Sequence, residues 1–165
     1  MGVQDEVDEN IKRFQEKLGL KPGVDLEMIL LKGHLLIEEL LQKMVESFVR
    51  CPDELPAAKF TFHHRLCLAK ALRNPAIHPE LNWVWDGVQK INTLRNLMVH
   101  KLNPKNFEEK LDEYVALVRN NFSFPRKSGT GKAYQMAKLG YTLSILNAFL
   151  SKLVRANIDG FKVLA

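Results

Sequence analysis

Apolar residues recur at helical spacing along most of the chain. From Asp25 onward, Leu26, Ile29, Leu30, Leu36, Ile37, Leu40, Leu41, Met44 and Phe48 predict a long amphipathic helix of about six turns, with Asp25 as its N-cap. The Cys51-Pro52 step ends it, because proline cannot continue a helix interior. Pro52 to Pro56 reads as a connector. Phe62, Leu66, Ala69 and Leu72 then mark the next helix, which Asn74-Pro75 stops. Pro79 starts a helix with Trp83, Val84, Val88, Ile91, Leu94 and Met98, running to about Leu102 before Asn103-Pro104. Asn106, with Glu109 three residues on, forms a capping-box-like start for a helix carrying Leu111, Tyr114, Val115 and Val118. Ahead of all these, residues 3–18 form a short charged helix, ended by Gly19 and the Lys21-Pro22-Gly23 break.

The last periodic segment begins at about residue 128–130 and runs to 156. Leu139, Leu143, Ile145, Leu146, Phe149, Leu150, Leu153 and Val154 make it apolar on more than one face. Such a helix must be central in a bundle or buried against another subunit. The loop before it, Phe122 to Gly131, is basic through Arg126 and Lys127, with Lys132 just beyond. No internal repeat, low-complexity tract or sustained strand-like alternation interrupts the pattern. The expected fold class is therefore all-α, an antiparallel bundle of five to six helices. It is read as a single domain over 1–165, with an N-terminal extension (1–24), a core (25–122) and a C-terminal apolar helix (128–156).

Composition narrows the functional classes. The chain has 165 residues, 46% of them hydrophobic and 26% charged, which suits one domain with a sizeable core. No apolar run approaches the roughly 20 residues needed to span a bilayer. The N-terminus, Met1 to Glu6, lacks the basic start and apolar stretch of a signal peptide. A cytoplasmic protein with no membrane partner is expected. Cys51 and Cys67 are too few and too far apart for a disulfide framework or a metal pair, so they are expected as free thiols. The net charge of +5 is concentrated after Lys101 and permits a polyanionic partner such as RNA.

Few residues carry candidate chemistry. Ser128-Gly129-Thr130-Gly131-Lys132 lacks the leading glycine, the Ser/Thr after the lysine and the preceding strand of a phosphate loop. His63 and His64 point about 100° apart on a helix, and no acidic or cysteine cluster joins them to complete a metal site. An arginine followed by asparagine, with histidine five places after the arginine, occurs twice, at Arg73-Asn74-His78 and at Arg95-Asn96-His100. Pro75 breaks the helix inside the first copy, so spacing alone is no signal. Arg95 differs because, at about 100° per residue, it falls mid-stripe among Val84, Val88, Ile91, Met98, Val99 and Leu102. A guanidinium there is costly unless it is paired or faces a wet cleft. Two readings follow: a salt bridge to Glu38 or Glu39, or a stripe that meets a second subunit with the arginine opening into a cleft at the seam. His100 lies about 140° around the helix from Arg95. The two converge only if the helix ends or distorts near Val99, if the arginine reaches along the groove, or if a second subunit completes the cleft.

Arg95, Asn96 and His100 at the end of a late helix, after the amphipathic stretch Lys32 to Leu41, resemble the HEPN family (higher eukaryotes and prokaryotes nucleotide-binding domain) over residues 25 to 120. A weaker resemblance is to the mannitol-operon repressor family, which shares the bundle. The HEPN resemblance implies a metal-independent endoribonuclease, a toxin or defence effector, with two motifs lining one cleft of a homodimer. It implies His100 as general acid or base during 2′-hydroxyl attack on the adjacent phosphate, Arg95 as stabiliser of the phosphorane-like transition state, and Asn96 as orienter. Lys101, Arg126 and Lys127 become RNA contacts. No metal or cofactor is implied, and the partners are RNA, a second copy, and a cognate antitoxin or defence protein. Some toxins of the family carry a modified tyrosine two residues after the histidine. Leu102 stands there instead, which speaks against that regulation. The alternative is a catalytically silent helical interaction or regulatory module.

Overall fold

The computed structural model describes residues 3–19, 25–100, 106–123 and 131–164. They form six α-helices: α1 (Val3–Leu18), α2 (Leu26–Ser47), α3 (Phe62–Leu72), α4 (Trp83–His100), α5 (Phe107–Asn121) and α6 (Lys132–Leu164). Short 3-10 segments lie at Pro52–Ala58 and Pro79–Leu81, and no strand occurs among the described residues. The chain is an all-α helical bundle, as its periodicity predicts.

Local chemistry explains most of the ends. Gly19 closes α1 with a φ of 58°, a left-handed conformation that costs a glycine little. Lys32 donates to the Leu18 carbonyl at 3.1 Å, setting a cation at the C-terminus of α1. Asp25 caps α2 by accepting from the Met28 amide at 2.8 Å. At the start of α3, Thr61 Oγ1 accepts from the His64 amide while His64 Nδ1 accepts from the Thr61 amide.

Several boundaries differ from expectation. α2 stops at Ser47 with Phe48 as C-cap, ahead of Cys51-Pro52. Pro52 instead opens a 3-10 segment, where its missing N–H leaves no bond unmade. Pro79 likewise begins a separate 3-10 turn, and α4 proper starts at Trp83. Asn106 is the N-cap of α5 by position, but its side chain makes no capping hydrogen bond, so the capping box does not form. α6 runs about two turns past residue 156. Its extension is tied down: Ile158 is buried, Phe161 packs against Phe48 at 4.6 Å between ring centroids, and Asn157 Oδ1 accepts from the Asn74 amide at 2.7 Å.

α6 is the central helix. A Cβ on Gly33 of α2 would come within 2.7 Å of Leu143 Cδ1, and one on Gly87 of α4 within 2.6 Å of Leu146 Cδ1. Both helices therefore approach α6 closely because these positions lack side chains. α2 runs parallel to α6, since Gly33 meets Leu143 and Phe48 meets Phe161. α4 runs the other way, since Trp83 meets Phe149 and Gly87 meets Leu146. α5 covers α4 and α6 through Lys90–Glu113 and Gln135–Glu108. Leu30, Ile37, Leu41, Ile91, Leu94, Leu143 and Leu146 are fully buried in one shared core. Each such side chain contributes about 1.5–3 kcal/mol relative to exposure.

Candidate functional site at the seam of α2 and α4

The polar residues that meet between α2 and α4 are the clearest site in the bundle. His34 belongs to the buried face of α2, in series with Leu30, Ile37 and Leu41, and is only 6% exposed. Its ring stacks on Phe62 at 4.1 Å and its Nε2–H donates to the Asn92 carboxamide oxygen at 3.2 Å. Burial pushes the imidazole pKa below its ordinary value of 6.5, and the nearby Arg95 charge pushes the same way. The Asn92 bond and the Glu38 carboxylate oppose that shift without reversing it.

Arg95 is half-buried, and its NH1 donates to the Asn96 carboxamide oxygen at 3.2 Å. Among the described residues it forms no ion pair. The expected bridge to Glu38 or Glu39 is absent because Arg65, arriving from α3, takes Glu38 at 2.7 Å. Arg65 also donates to Gln42 Oε1 at 2.7 Å and to the Phe60 carbonyl, which makes it the better-satisfied partner. Glu39 lies on the opposite flank of α2, facing α1 and α6.

The apolar stripe of α4 outruns the core. Val84, Val88 and Ile91 are fully buried, whereas Met98 is half-buried and Val99 is 51% exposed. Arg95 therefore sits where the stripe emerges. Helices running antiparallel at equal rise, with His34 level with Asn92, set Arg95 level with Leu31 and Met98 level with Met28. Met28 and Leu35 are 45% and 58% exposed, so the arginine opens between apolar shoulders.

α4 is unbroken through His100. Convergence through a helix end or distortion at Val99 is therefore not what the described backbone offers, since it keeps positions 95 and 100 about 140° apart around the axis. The side chain of His100, together with Lys101, Leu102, Arg126 and Lys127, lies outside the described residues. Of the proposed site, the structure thus joins Arg95 to Asn96 and adds His34 and Asn92, which sequence reasoning missed. His34 had a signal, since a histidine in a buried helical series requires a partner. Asn92 had none, because only the register of two helices brings it to His34.

The other candidates are spent on structure. His64 caps α3, and His63 Nε2 lies 3.5 Å from Cys67 Sγ. Both cysteines are free and exposed. Among the described residues no group of three or more His, Cys, Asp or Glu is placed to hold a metal ion, and no helix is long and apolar enough to cross a membrane. In a concavity between α4 and α5, Lys110 and Lys90 hold the Glu113 carboxyl down to about 2, and with Asp86 also in the lining the charges there balance.

Fold and site together define an all-α bundle with an arginine-bearing polar seam opening between exposed apolar side chains. No family model matches the chain, and comparisons with curated proteins and with solved structures yield no match.

Proposed function

We propose that the protein is a metal-independent endoribonuclease of the HEPN type, a toxin or defence effector acting as a homodimer. The observation that carries this reading is Arg95: a half-buried guanidinium with no carboxylate partner among the described residues, held by Asn96 at the mouth of a seam. Such a group is available to an anionic transition state. In the reaction, the RNA 2′-hydroxyl loses its proton to a base and attacks the adjacent phosphorus. The 5′-oxygen leaves and takes a proton from an acid, giving a 2′,3′-cyclic phosphate and a 5′-hydroxyl. His100 supplies the acid or base and Arg95 the charge stabilisation, with Lys101, Arg126 and Lys127 as backbone contacts. The exposed Met28, Leu31, Leu35 and Val99 favour a second copy docked at the seam, and that copy would bring its own His100 to the cleft.

A second reading, a catalytically silent helical interaction module, is favoured by the unbroken α4, which separates Arg95 from His100 within one chain. Incubating the full chain with RNA in excess EDTA, beside Arg95→Ala and His100→Ala, decides between them. The enzyme reading expects cleavage by wild type alone, with cyclic-phosphate ends, and a dimer by light scattering. An intact dimer that leaves varied RNAs uncut establishes the module.

A further inference from the structure

A second concavity of about 440 Å³ lies on the other flank of α2, enclosed by α1, α2 and α6. That volume falls within the roughly 300–1,000 Å³ of small-molecule sites. Its walls are apolar: Phe14 of α1, Leu36 and Leu40 of α2, and Val154 and Ile158 of α6. Its floor is not. Asn147 and Ser151, one turn apart on α6, face the same space.

Asn147 is only 9% exposed, yet neither it nor Ser151 has a hydrogen-bond partner for its side chain among the described residues. Other buried polar groups of α6 are satisfied by their own helix. Thr142 donates to the Lys138 carbonyl, Ser144 to the Gly140 carbonyl and Asn157 to the Leu153 carbonyl. The Asn147 carboxamide is not sealed from solvent and lines the cavity, so it is free to bond a molecule that enters there. The rim adds a sign. Lys17 and Lys43 stand there without an ion pair among the described residues, and Arg13, engaged with Glu9, stands beside them. Among the described residues, Glu39 is the one carboxylate lining the cavity.

We infer that this cavity binds a small amphiphilic anion. A carboxylate or phosphate head meets Lys17 and Lys43, an apolar body lies between Leu36, Leu40, Val154 and Ile158, and an amide or hydroxyl on that body bonds Asn147 and Ser151. The site is separate from Arg95 and independent of ribonuclease activity.

Calorimetric titration with N-octanoylglycine, which has a chain, an amide and a carboxylate, tests this on the full chain. The expected result is saturable binding with one molecule per chain. Octanol, lacking charge, and N-acetylglycine, lacking the chain, should each bind at least about tenfold more weakly, equivalent to about 1.4 kcal/mol. Lys43→Glu, at an exposed position, should weaken N-octanoylglycine by a similar factor at unchanged Tm, and Asn147→Leu should abolish binding. Should Asn147→Leu fail to fold, Lys43→Glu still decides. The site is overturned by absence of saturable binding, by equal affinity for octanol, or by a folded Lys43→Glu that binds as wild type does.

Discussion

Arg73 to His78 and Arg95 to His100 share residue types and spacing, and the bundle treats them oppositely. Arg73 ends α3, donates to Asn82 Oδ1 at 2.5 Å and lies over the Trp85 ring at 5.6 Å. Its neighbour Asn74 is held on both sides: the backbone amide donates to Asn157, and the side chain accepts from the Ala76 amide. His78 adopts a φ of 50° and bonds Glu80 at 2.9 Å. Each of the three side chains thus has a polar partner at the corner between α3 and α4. Arg95 sits within a continuous helix, with Asn96 as its described hydrogen-bond partner and a seam beside it. The same letters thus mark a structural corner in one place and an uncommitted cation in the other. What separates them is whether partners are already supplied.

If the protein has the proposed ribonuclease activity, the largest effect expected from this contrast is on cleavage. Arg95→Ala should lower the RNA cleavage rate by about 10²–10³-fold, the range for removing one donor to a developing oxyanion. Arg73→Ala should leave the rate within about threefold of wild type. Stability should cross over. Arg73→Ala loses a hydrogen bond and a cation–π contact, and should cost about 1–2 kcal/mol in urea unfolding. Arg95→Ala should stay within about 0.5 kcal/mol of wild type. Equal losses of stability in the two variants would mean that Arg95 is a structural arginine after all.

How far the sequence reaches can be judged from these same residues. The 100° spacing of α4 was enough to set Arg95 on the apolar stripe, and Asp25 and Gly19 announced their helix ends through local chemistry. Arg65 as the partner of Glu38 was not legible, because it comes from a third helix. Nor was the His34–Asn92 bond, since the register of α2 against α4 is encoded in neither periodicity alone. Prolines misled the boundaries: Pro52 does not end α2 and Pro79 does not open α4, and each begins a 3-10 turn. The extension of α6 past 156 depends on contacts that periodicity does not encode: Asn157 is buried and bonded across the bundle to Asn74.

A smaller effect sharpens the contrast through His34. The folded chain holds this imidazole neutral below its ordinary pKa of 6.5, first through burial and then through the charge of Arg95. Its contribution to stability is complete above about pH 6.5 and is lost as pH falls through the lower folded value. Native stability should therefore decline more steeply below that pH in wild type than in His34→Gln. In proton NMR titrations, Arg95→Ala should raise the His34 pKa and Arg73→Ala should leave it in place. Parallel pH–stability curves for wild type and His34→Gln would show that His34 carries no such penalty.

The smallest effect applies the same accounting of partners to the core. Tyr114 is fully buried on α5, and its hydroxyl has no well-formed hydrogen bond among the described residues. Thr142 is adjacent, but its hydroxyl donates to the Lys138 and Leu139 carbonyls at 2.8 and 3.1 Å. Burial also pushes the phenol pKa up, so the group stays neutral at any working pH. Removing a hydrogen-bonded buried hydroxyl would cost about 0.5–1.5 kcal/mol, whereas removing an unbonded one relieves its desolvation. Tyr114→Phe should thus be neutral to stabilising by up to about 1 kcal/mol in thermal or urea unfolding. A loss above that size would reveal a partner for Tyr114 and would weaken the claim that a missing partner, at Tyr114 as at Arg95, identifies a group the fold does not use.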